Sequence, residues 1–153
     1  MTTINLINLD SPALLPTKRL LLDGDLALHP AVEAVFISGS RGPRACWRDD
    51  SDLDLSLLLP AGTVPAAELC RAIIDHTLSR WHGAAELDLA VIFDSRGCGL
   101  GCLAAQQAGP GFCDGGTDCF GIYKTQRGFD GFIEGFGVSV ERSFPSLLIW
   151  RRS

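Results

Sequence analysis

Apolar and polar residues alternate with period two in two separate stretches of this chain, and both set carboxylates opposite leucines. Residues 52–59 open as Asp52-Leu53-Asp54-Leu55. Successive side chains of a strand point to opposite faces, so Asp52 and Asp54 share one face and Leu53, Leu55 and Leu57 the other. Residues 86–94 repeat the arrangement, with Glu86, Asp88 and Ala90 on one face and Leu87, Leu89 and Val91 on the other. Residues 32–38 read as a buried strand from their β-branched and aromatic content, ending abruptly at Ser38-Gly39-Ser40. If the two acidic strands are neighbours in one sheet, Asp88 lies near Asp52 and Asp54.

Helical spacing is clearest over residues 63–81. Pro65 suits the first turn, Gly83 follows as a stop, and Ala66, Leu69, Ile73, Thr77 and Trp81 mark one face. Arg71 and Asp75 are spaced for an exposed i,i+4 pair. Residues 1–11 form an irregular or strand-like leader. Residues 13–28 lean helical after Ser11-Pro12, with Pro16 and Gly24 dividing them into two short pieces. There Leu14, Leu15, Leu21, Leu22 and Leu26 are core contacts. Residues 41–51, containing Gly42 and Pro43, are a loop or short helix, which leaves the relative direction of the flanking strands open. Residues 95–137 hold twelve of the seventeen glycines, which favours turns and bulges over a long helix. Phe136, Val138 and Val140 alternate as a strand, and residues 147–150 form a last short one. The expected fold class is α+β, a small mixed sheet packed against helices. Residues 1–153 make one domain, with a core at about 12–94 and a Gly/Cys-rich extension at 95–153.

Composition narrows the function. A net charge of -5 argues against a general binder of nucleic acid or of anionic membranes, although Arg41, Arg44 and Arg48 cluster in the central loop. No signal-peptide pattern and no span-length apolar run is visible, so a cytoplasmic protein is expected. The six cysteines then read as reduced thiols. A zinc site at Cys98, Cys102, Cys113 and Cys119 fits poorly, because their spacings lack the tight C-x2-C knuckle. His29, His76 and His82 form no ligand pattern, and Glu86 at a strand start is a solvated residue. Phe112, Phe120, Tyr123, Phe129 and Phe132 are core aromatics before they are base-stacking or partner-binding ones.

The chemistry lies in the carboxylates. Two on one strand face repel, and one takes up a proton unless a cation sits between them. Oxygen-only ligands favour a hard cation such as magnesium. The ordered set of strand, Gly39-Ser40, eleven intervening residues, Asp52-Leu53-Asp54-Leu55, helix, and Asp88 within Glu86-Leu87-Asp88-Leu89 resembles the DNA polymerase β-type nucleotidyltransferase superfamily, especially its small stand-alone members. The resemblance spans about residues 32–94. It implies a palm-like nucleotidyltransferase fold in which Gly39 permits close backbone approach and Ser40 and nearby amides hold a triphosphate. Asp52 and Asp54 would bind magnesium ions. Asp88 would complete a second metal site and serve as general base for the acceptor hydroxyl. Arg41 and Arg44 are candidate phosphate ligands, exposed loop arginine being the equally ready alternative. The gap after Ser40 is about one residue longer than in many antitoxin-type members, and Arg41-Gly42-Pro43-Arg44-Ala45 stands where they often carry an Ala-Arg-Gly arrangement.

The resemblance implies ATP, or another nucleoside triphosphate, as donor and Mg2+ as cofactor. As acceptor it implies a partner protein, since small members often adenylylate a HEPN ribonuclease toxin as its antitoxin. An aminoglycoside is the alternative acceptor, although such enzymes usually carry a helical substrate domain that only a dimer could replace here. RNA-end transfer usually requires more chain and a basic track. Two readings outside catalysis are a nucleotide- or partner-binding module retaining the fold, and a zinc-stabilised interaction protein.

Overall fold

A computed structural model describes residues 4–95, 97, 100–106, 120–126, 129–133 and 145–152, with the side chains of residues 104, 126 and 129 left aside. Its elements run α1 (Leu15–Asp23), β1 (Ala34–Ser38), β2 (Leu53–Leu58), α2 (Ala67–Arg80), β3 (Leu87–Asp94), α3 (Gly101–Ala105), β4 (Phe120–Gln126), β5 (Phe129–Ile133) and β6 (Leu147–Arg151). The chain is mixed α and β, and the six strands among the described residues form one sheet in the order β5-β4-β3-β2-β1-β6. The β2–β3 pair is parallel and every other pair is antiparallel. A parallel neighbour requires a crossover, and α2 provides it.

Alternation along the strands sorts the core into two layers. Val35, Ile37, Leu53, Leu55, Leu57, Leu89, Val91 and Tyr123 face α1 and α2, packing with Leu21, Cys70, Ile73 and Ile74. On the opposite face Phe36, Leu58, Ile92 and Phe120 pack under Leu100, Cys102 and Leu103 at α3. Gln106 closes α3 and ties it to β6, accepting from the Ser146 amide at 2.7 Å and donating to its hydroxyl at 3.1 Å.

Several expectations change. Residues 13–28 hold one helix, because Pro16 sits in the first turn, where its missing N–H costs nothing, and Gly24 closes the helix by donating to Leu20. In α2 the helix begins after Pro65; of the expected stripe Ile73 and Thr77 are buried, Leu69 and Trp81 pack partly buried against the core and Ala66 is exposed, while Cys70 and Ile74 join the buried face. Arg71 does not pair with Asp75; its Nη2 reaches Asp130 on β5 at 2.5 Å, because the sheet brings a carboxylate across to it. Most consequential, the region after residue 94 is not an appendage. It supplies β4, β5 and β6, half of the strands of the sheet. Of the aromatics there, Phe120 and Tyr123 are buried and Phe132 is exposed. Phe112, the side chain of Phe129, the strand expected at residues 136–140, and Cys98, Cys113 and Cys119 lie outside the described residues.

Candidate metal centre

The centre begins as a consequence of register. In the parallel ladder Asp54 stands opposite Asp88, and Leu53 and Leu55 stand opposite Leu87 and Leu89. Both carboxylates emerge on the face away from α1 and α2. Asp52, just before β2, completes the group. One carboxylate oxygen from each of Asp52, Asp54 and Asp88 lies within 4.8 Å of the others, and all three residues are partly buried. The Leu53 amide donates to the Glu86 carbonyl at 2.8 Å, carrying the ladder up to the acidic end. Glu86 itself is exposed and stands apart from the group.

This density of negative charge has a visible effect. The Asp54 carboxyl is pushed from 3.8 to about 7, first by burial, then by its hydrogen bond with Asp88 and the charges of Asp52 and Asp88. The opposing influence is Lys124 on β4, whose Nζ lies 3.2 Å from Asp88 Oδ1. Sequence reading missed this lysine. The glycine count around it masked the β-branched and aromatic run Ile122-Tyr123-Lys124-Thr125, which was the available strand signal. Three oxygen donors and a carboxyl driven toward its protonated form by burial and by its neighbours are the donor chemistry that a hard divalent cation matches.

The turn after β1 lies against Asp54. Gly39 has a left-handed backbone (φ 72°), and a methyl group there would overlap Asp54 Oδ2. Only glycine allows both at once. Ser40 follows, partly buried, and its carbonyl accepts from the Cys46 amide at 2.9 Å. The two arginines of the loop part company. Arg41 is 5% exposed, and its guanidinium donates to the carbonyls of Ser51 (2.7 Å), Arg48 (3.1 Å) and Asp49 (3.3 Å), with the Trp47 ring 6.0 Å away. The Thr17 hydroxyl on α1 donates to the Arg41 carbonyl at 2.8 Å. Arg41 thus braces the β1–β2 loop from inside, its planar donors matched to carbonyls rather than turned toward phosphate. Arg44 is exposed.

Cys46 and Cys70 are thiols. The imidazoles of His29 and His76 meet edge to face with centroids 5.6 Å apart, and neither belongs to the acidic group. No helix among the described residues is long and apolar enough to cross a membrane. Comparison with protein-family models, with curated proteins and with solved structures found no match, so a functional reading of this chain rests on the acidic centre itself.

Proposed function

We propose that this protein is a Mg2+-dependent nucleotidyltransferase that moves a nucleoside monophosphate, AMP from ATP, to a hydroxyl acceptor on a partner protein. The observation that carries the reading is the convergence of Asp52, Asp54 and Asp88 from two adjacent strands beside the Gly39-Ser40 turn. Asp52, Asp54 and Asp88 would hold the metal, which when bound neutralises charge on the phosphates. Gly39 leaves room at Asp54 Oδ2 for phosphate oxygens, and the Ser40 hydroxyl donates to them. Asp88 accepts the proton of the acceptor hydroxyl as its oxygen attacks the α-phosphorus. A new P–O bond forms, the α–β phosphoanhydride breaks, and pyrophosphate leaves. Ser38, the last residue of β1 before the turn, pairs with Asp54, and Asp54 pairs with Asp88, so backbone ladders set the turn against these two carboxylates.

The test is transfer from α-labelled ATP with Mg2+ into a lysate containing co-expressed neighbouring proteins, with wild type beside Asp52→Asn/Asp54→Asn. Label on one protein band with wild type alone is the expected outcome. Label in a small molecule or RNA keeps the transferase and discards the protein acceptor. A folded protein that transfers none of the four nucleotides overturns the proposal in favour of a binding module.

A further inference from the structure

The acidic centre has a cationic neighbour placed by the sheet. Lys124 stands opposite Ala90 in the β3–β4 register, two residues along from Asp88 and on the same face. Its Nζ contacts both oxygens of Asp88, at 3.2 and 3.3 Å, and the two side chains are only 25% and 15% exposed. Those oxygens are the ones Asp88 would offer to a metal. An ammonium donating to them and a divalent cation binding them directly compete for the same lone pairs. They also compete electrostatically, since each lowers the negative potential that attracts the other.

We infer that Lys124 is an internal competitor of the metal, a tethered cation that sits on Asp88 until a divalent ion displaces it. The inference rests on the metal centre of the proposed function and adds to it a regulation of occupancy. An ammonium on a flexible four-carbon stem can leave by side-chain rotation, without moving β4. The sheet face beside Asp54 and Asp88 then receives metal and loses the lysine contact in one exchange. Affinity is therefore set by a difference between two cations rather than by the carboxylates alone.

Mn2+ binding, read by calorimetry, tests this on wild type, Lys124→Gln, Lys124→Arg and Asp54→Asn. Lys124→Gln is expected to bind Mn2+ about tenfold or more tightly than wild type, as removal of a unit charge a few ångströms away dictates. Lys124→Arg should stay near wild type because it keeps the charge. Unchanged or weaker binding by Lys124→Gln overturns the competitor and makes Lys124 a positioning residue for Asp88. A measurement on the unaltered protein covers a variant that fails to fold. The chain has two lysines, and Lys18 pairs with Asp10 at 2.6 Å rather than with the acidic centre, so selectively 13C-labelled lysine gives an internal reference. Added Mg2+ should move the Lys124 Cε resonance and leave that of Lys18 in place; two unmoved resonances in a protein that binds Mg2+ refute the exchange. If neither wild type nor Lys124→Gln binds Mn2+ at all, the metal centre falls, and the competitor with it. Wild-type binding that Asp54→Asn abolishes but Lys124→Gln leaves unchanged sinks the competitor alone.

Discussion

Strand β4 enters two ionic clusters, one on each face of the sheet. On the α2 face, buried Tyr123 donates to Asp130, Thr125 donates to the same carboxylate at 3.2 Å, and Arg71 meets it at 2.5 Å. Charge is balanced there. Asp130 is held below its usual range, chiefly by the Tyr123 hydrogen bond, and Arg71 is raised, chiefly by its bond to Asp130. On the other face, one residue along, Lys124 meets a group of three carboxylates, and Asp54 is driven up to about 7. In the first cluster Asp130 and Arg71 hold each other ionised, and Tyr123 keeps the proton it donates to Asp130. In the second, the Asp54 carboxylate is disfavoured, first by burial and then by Asp88 and Asp52 beside it. A cluster that stabilises the fold looks like the first; a cluster maintained against its own repulsion points to a use beyond folding.

The largest effect that separates the two clusters should come from removing one carboxylate from each. Asp54→Asn is expected to lower nucleotidyl transfer by about a thousandfold or more, as loss of several kcal/mol of metal-borne charge stabilisation implies. Asp130→Asn should leave transfer near wild type. Equal losses in the two variants, measured with labelled ATP, would erase the distinction.

Next comes the glycine against the acidic centre. Gly39→Ala should cost about 1–3 kcal/mol of stability in urea titration, because it combines a left-handed backbone with overlap on Asp54 Oδ2. A neutral Gly39→Ala would mean that Asp54 can turn away freely and that the crowding is not fixed.

Dependence on pH sharpens the contrast further. Asp54 titrates near 7 when folded and near 3.8 otherwise, so the metal-free folded state holds the extra proton between those values. Its contribution to stability is therefore lost as pH rises from about 4 to about 7. Asp54→Asn should exceed metal-free wild type by about 1–2 kcal/mol at pH 8, solvent screening at a half-buried group included, and by little near pH 4. Asp130 runs the other way: its lowered pKa contributes stability that is lost as pH falls below the usual carboxylate range. The smallest effect is expected from Arg71→Met, a slight drop in melting temperature that high salt shrinks, since exposed ion pairs are well screened.

Much of the acidic centre was legible in the chain because period-two alternation is a local property. Asp52, Asp54 and Asp88 declare their face through the leucines between them, and only the adjacency of their strands had to be supplied by the fold. Strand β6 was legible as a short apolar run, Leu147 to Trp150. What was not legible depended on partners distant in sequence. Arg41 looks like a phosphate ligand in a polar loop, yet it is consumed by carbonyls whose direction depends on the loop's own path. Arg71 looked settled with Asp75 until β5 brought Asp130 to it. Lys124 lay in a glycine-rich region where propensity favoured turns and bulges, and sheet pairing overrode it.

The parallel β2–β3 ladder carries a consequence for how the chain comes to fold. Asp54 and Asp88 meet across the one parallel pair among the described residues, and α2 must cross before they can do so. Closure of that long loop comes before any reward from the ladder, so the contact forms slowly and against electrostatic resistance. Antiparallel β1–β2 and β4–β5 carry no such obstacle. Refolding followed by stopped flow should therefore report on the ladder itself: the folding rate should respond to divalent ions if the ladder is already zipped at the transition state. If it closes afterwards, the ions should act on unfolding alone.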